Sequence, residues 1–175
     1  LIMLLAHGLS SAALFIIAGH VYDRLHTRAL TFMRGTWGQL CSLPSFLMFF
    51  SAALMGIPGT GNFIAEFLIL LGSFEQYPIF TIIATVSLVF EGLYTLIMVH
   101  KSMFGQPHSS QEKLTQPLKD LDGREISMLL VMADGLIWLG LFPQDFLNTS
   151  HLRMQWLSHS YQFPFFVTPA ISPVT

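Results

Sequence analysis

Glu66 is the residue in this chain most able to do chemistry where chemistry is difficult. It sits in the stretch "GIPGTGNFIAEF" (56–67), eight residues past Pro58, with apolar runs on both sides. A carboxylate in such a run costs on the order of 3 kcal/mol on membrane-insertion scales, so it lines a pathway or finds a partner. One reading makes Glu66 a group that takes up and releases protons. The other makes it a carboxylate bonded to amides freed by the glycines and proline before it. His7 is the second candidate, with Ser10 and Ser11 three and four residues on, hence on one helical face. Imidazole exchanges protons near neutral pH, which suits a relay member. Glu91 and Asp134 are two further acids in apolar surroundings, and Tyr94 follows Glu91 by three residues. These two either extend a proton path or pair with polar groups on other helices.

Other chemistries find little support. The single cysteine, Cys41, excludes an internal disulfide or a cysteine cluster. The seven histidines show no metal-ligand spacing within a helix, so no metal is assigned. A net charge of −2 without a basic, aromatic-interleaved stretch gives no reason to expect nucleic acid.

The elements that must position these residues follow from composition. Hydrophobic residues make up 53% of the 175 and charged residues 10%, with a mean hydropathy of +0.60. A soluble domain carries about 25% charge, so lipid is the expected solvent. Runs of about 20 apolar residues match a hydrocarbon layer of about 30 Å. Four candidate spans result: 1–22, 40–72, 79–100 and 127–147. Backbone groups in lipid must bond internally, so each is expected to be helical. The fold class is therefore all-α, a polytopic transmembrane bundle of about four spans. No lysine or arginine falls inside a span.

The second span is too long for one helix. Its length at about 1.5 Å per residue would reach about 50 Å, and Gly56, Pro58, Gly59 and Gly61 interrupt it. A discontinuous helix, 43–55 and 62–72 around an unwound link, is expected. Unwound backbone at that depth is tolerated where it is buried in protein or lines a watery cavity. Residues 105–126 read as a solvated polar linker. Residues 1–150 form the transmembrane part, and 151–175 an interfacial, disordered tail. The chain opens on Leu1, within a helix, and reads as the C-terminal piece of a longer membrane protein. Seven of the eight basic residues fall between spans one and two or three and four, and one, Arg153, in the tail. That split puts the loops 23–39 and 101–126 on the cytoplasmic side.

At "HGLSSAALFIIAG", "YDRLHTR" and "GIPGTGNFIAEFLILLGSF" the chain resembles the antiporter-like membrane subunits of proton-pumping NADH:quinone oxidoreductase, respiratory complex I. The resemblance runs from residue 1 to about 104 and resumes around "GLFPQDFLNTSH". It implies two inverted five-helix repeats, each with a broken helix, of which the second span would be one. It implies that Glu66 is the proton-exit carboxylate and that His7 belongs to a central hydrophilic axis. Glu91 and Asp134 depart from the family pattern, which has small or apolar residues there. The resemblance implies no cofactor in this chain, with NADH, flavin, iron–sulfur clusters and quinone on other subunits. Its partners would be neighbouring antiporter-like subunits, other membrane-arm subunits and the lipid bilayer. The location would be a bacterial inner membrane, or the mitochondrial inner membrane as the alternative. Two competing functions stand beside it: a subunit of a multisubunit sodium/proton antiporter, and a truncated, non-pumping structural fragment.

Overall fold

Small residues recur on one narrow stripe of the first helix, α1 (Ile2–Leu25), and decide how the others assemble around it. Its buried positions are Ile2, Ala6, Ser10, Ala13, Ile17 and Val21, spaced by three or four. Most of its other positions are apolar yet open, with Leu4 75% and Phe15 79% exposed. Such a helix has no polar face to turn to water. In lipid it needs only a seam of small side chains along which neighbouring backbones can approach.

The computed structural model describes residues 1–27, 29, 33–106, 119–149 and 156. After α1 come a single 3-10 turn (Thr36–Gly38), α2 (Ser42–Leu54) and α3 (Gly61–Gln76). They are followed by α4 (Pro78–Met103), α5 (Gly123–Leu141) and a short α6 (Pro143–Thr149). The described residues are helical or irregular, with no strand among them. Helix α1 is central and touches α2, α3 and α5, while α4 packs outside, on α3 and α2. The common core joins Ala6, Ala13 and Ile17 to Leu43, Phe50 and Ala53 and to Leu129, Leu136 and Leu139. Much of α4 is bare: Phe80, Ile83, Val89 and Phe90 are each more than 60% exposed. An apolar surface of that extent fits lipid or further helices.

Helices α1 and α4 are each long and apolar enough to cross a membrane. The second expected span is divided as anticipated, with α2 and α3 joined by residues 55–60. The fourth differs from expectation. It starts at Gly123 rather than 127, stops at Leu141, and turns by 76° into α6. Pro143 explains the bend, because its ring disfavours helical geometry at the preceding residue; Phe142 has φ −123° and ψ 57°.

The expected linker 105–126 is also different at its C-terminal end; residues 107–118 lie outside the described residues. The Arg24 guanidinium donates to the carbonyls of Lys119 (2.7 Å) and Asp120 (3.1 Å) and to Glu125 Oε2 (2.9 Å). The Asp120 carboxylate accepts the backbone N–H groups of Cys41, Ser42 and Leu43 at 2.8–3.2 Å. Residues 119–122 are thus a clamp, not a solvated tether. It works because the first N–H groups of α2 have no partner within their own helix. Thr36 Oγ1 donates to Ser102 O (3.1 Å) at the same end. The ends of α1 and α4 and the starts of α2 and α5 therefore meet on one side, where the described basic residues gather. The expected tail 151–175 lies outside the described residues, Trp156 excepted.

Candidate functional site

The break in the second span is built by glycine geometry. Gly56 and Gly59 have φ of 69° and 99°, a left-handed region that side-chain-bearing residues rarely enter. The α2 ladder ends in irregular bonds: Gly56 N–H reaches Ala53 O (3.2 Å) and Ile57 N–H reaches Ala52 O (3.3 Å). Thr60 then closes a turn, its N–H and hydroxyl both donating to Ile57 O (3.2 and 2.8 Å). Ile57, Pro58 and Gly59 are exposed, and Thr60, Gly61 and Asn62 are buried. The link thus faces outward at its proline and inward where α3 begins.

Glu66 lies in the second turn of α3 and leans back over this link. A Cβ built on Gly56 would stand 2.5 Å from Glu66 Oε2, so the carboxylate occupies the space that a side chain at 56 would take. Among the described residues Glu66 accepts no hydrogen bond, from the link amides or from any other donor. The reading of Glu66 as a cap for its own break therefore finds no bond to rest on. Its electrostatic neighbour is Glu91 of α4, within Coulombic reach across the α3–α4 contact. The structure thus brings together two of the four candidates, both half-buried.

The other two stand apart. His7 is exposed on α1, and the Ser10 and Ser11 hydroxyls fold back onto carbonyls of their own helix. Ser10 Oγ donates to Ala6 O (3.0 Å), and Ser11 Oγ to His7 O (2.6 Å). Ser10 turns into the core while His7 turns away, so the stripe expected from spacing splits between two faces. Asp134 is exposed on α5, whose buried side is formed by Leu129, Ala133, Leu136, Leu139 and Gly140.

Three contacts at the break were not read from the sequence. Asn62 Nδ2 donates to Ala53 O (2.8 Å) and to Ser10 Oγ (3.2 Å), tying α3 to both α2 and α1. Gly140 of α5 lies directly against the Gly59 carbonyl and the Thr60 backbone, where no Cβ would fit. Gly61 is similarly close to α1 and α5: a Cβ there would be 3.0 Å from Ala6 Cβ and 2.9 Å from Leu139 Cβ. The signal for the last two was available, since small residues in apolar helices mark close crossings.

Comparison with known proteins places this arrangement. A family model described as NADH:quinone oxidoreductase/Mrp antiporter, TM, matches residues 1–91, from α1 through Glu91. Subunit M of NADH-quinone oxidoreductase from Pseudomonas aeruginosa is 48% identical over 160 residues, 89% of this chain and 30% of its own length. The Escherichia coli K12 subunit M is 43% identical over 163 residues, 91% of this chain and 32% of its own length. The structure of respiratory complex I from Thermus thermophilus with bound NADH contains a chain that superposes with a TM-score of 0.73 at 28% identity. That match covers 81% of this chain and 29% of the other. The chain thus spans about a third of the length of the relatives it matches. It belongs to the transmembrane family shared by NADH:quinone oxidoreductases and Mrp antiporters.

Proposed function

We propose that this chain contributes the exit half of a proton channel to the membrane arm of a proton-pumping NADH:quinone oxidoreductase, corresponding to part of subunit M or chain 4. The observation that carries the proposal is the seating of Glu66 over Gly56, which puts an exchangeable carboxyl at the unwound stretch between the apolar helices α2 and α3. Unwound backbone lining a watery passage admits protons to that point, and the carboxyl receives and releases them. Glu91 is the neighbouring acid, across the contact between α3 and α4. His7 and Asp134 serve protons arriving from helices outside this chain. The relatives' names support the oxidoreductase over the sodium/proton antiporter, although the family model embraces both. Redox cofactors then reside on other subunits, and the flanking partners are further antiporter-like subunits. A bacterial inner membrane is the location that the two bacterial relatives favour, with the mitochondrial membrane second, since a chain 4 from Marchantia polymorpha is 32% identical.

The test is Glu66→Gln in the complete, assembled complex. Gln keeps size and hydrogen-bonding reach but loses the exchangeable proton. Proton translocation in proteoliposomes should fall by about 100-fold, at the low end for loss of a transfer group, with assembly on native gels unchanged. An assembled Gln variant that pumps at the wild-type rate would overturn the assignment.

A further inference from the structure

The Asn62 amide is fully specified by its surroundings, and one of its atoms has no work inside the described protein. Ala53 O is a carbonyl and can only accept, so the atom 2.8 Å from it must be Nδ2. Ser10 Oγ sends its own proton to Ala6 O and offers a lone pair to the same Nδ2 at 3.2 Å. Both N–H groups of Asn62 are thereby engaged. Its Oδ1 points the other way and, among the described residues, meets no donor, although Asn62 is only 1% exposed. Buried amide oxygens are rarely left in that condition, and ordered water is the usual partner where protein supplies none.

Position makes this oxygen more than a packing detail. Asn62 and Glu66 are four residues apart on α3, so they share a face with Cβ atoms about 5–6 Å apart. Ser51 Oγ, on the last turns of α2 beside Ala53, is a second buried oxygen without a partner among the described residues.

We propose that Asn62 is a positioning residue for proton transfer. Its two N–H groups lock α3 to α2 and α1, and its Oδ1 holds a water molecule one helical turn from Glu66. No bond is made or broken at Asn62 itself; it accepts a hydrogen bond from the water and aims the remaining proton toward the carboxylate. This rests on the function proposed above, but the site has a readout of its own.

That readout is a map of the assembled complex at a resolution that shows ordered water. Solvent density within about 3.2 Å of Asn62 Oδ1 is expected. An Oδ1 that meets a protein donor, or that has no density beside it, would overturn the water site. This outcome is independent of pumping, so a failure of Glu66→Gln to impair translocation would sink the function proposal and the positioning role with it, but leave the water site standing. In the assembled complex Asn62→Ala should lower protons translocated per electron about fivefold, the scale of one lost neutral hydrogen bond. Asn62→Gln, which keeps both donors and the acceptor, should restore most of it. Assembled Asn62→Ala with an unchanged proton-to-electron ratio would refute the positioning role. Should Asn62→Ala not assemble, the Gln variant and the map decide.

Discussion

The carboxylate of Glu66 fills the space that glycine leaves open at position 56, so two residues ten apart in sequence share one site at the helix break. Gly56 answers to two demands at once, a φ of 69° and the absence of a Cβ that would meet Glu66 Oε2 at 2.5 Å. Gly56→Ala should therefore cost about 1–2 kcal/mol for the left-handed backbone alone and push Glu66 aside. Its effect on proton translocation should approach that of Glu66→Gln, whereas Gly72→Ala, with open space around its Cβ, should change neither stability nor translocation. Thermal denaturation of the purified complex and proteoliposome pumping, run in parallel on the two variants, check this.

Gly140 and Gly135 make a second pair on α5. At Gly140 an added Cβ collides with the Gly59 and Thr60 backbone, which cannot rotate away as a side chain can. At Gly135 the nearest atom is Leu9 Cδ1 at an ordinary 3.5 Å. Gly140→Ala should destabilise by about 1–3 kcal/mol, the usual overpacking range, and Gly135→Ala should be tolerated. The melting temperature of each variant in detergent distinguishes them.

Asp120 makes stability at this end of the molecule depend on pH. Burial would raise its pKa, but the N–H groups of Ser42, Leu121, Cys41 and Leu43 outweigh it and hold the group at about 2, below the ordinary 3.8. A depressed carboxylate stabilises only while ionised in the folded chain. The contribution should be complete above about pH 4 and disappear as the pH falls toward 2. Asp120→Ala should cost about 1 kcal/mol at neutral pH, as for a lost helix cap, and flatten the stability profile over that acid range. Melting curves of both proteins from pH 2 to neutrality would show it.

Cys41 offers a probe of orientation without any engineering. It is free and exposed, and its N–H is bound by Asp120 at the end where the described basic residues collect. A membrane-impermeant maleimide should label it in inside-out vesicles and not in right-side-out ones, following the basic-residue rule. The reverse pattern would invert the topology.

The break was legible because glycine and proline inside an apolar run have few other uses in lipid; the expected halves 43–55 and 62–72 lie within a few residues of α2 and α3 at every end. The bend after α5 was legible too, in the Phe142–Pro143 pair, yet hydropathy alone ran straight through it to 147. The start of α5 carried a signal in "DGRE", since Glu125 accepts the Asp122 N–H (3.0 Å), half of a capping box. Asn62 and Asp120 were beyond sequence reasoning for one reason. Their partners, Ser10 and the amides of 41–43, lie 52 and 77–79 residues away, and nothing local distinguishes either residue from a loop or cap residue. His7 shows the opposite error: its spacing to Ser10 and Ser11 is helical, but whether neighbouring positions share a face of the bundle depends on where α2 and α3 dock.

The division at 55–60 also bears on how the chain crosses the bilayer. Helices α2 and α3 have 13 and 16 residues, about 20 and 24 Å at helical rise, each short of a hydrocarbon layer of about 30 Å. Only together do the two halves have the length to cross it, and the Asn62 amide is what ties the pair to α1 as one membrane-crossing unit.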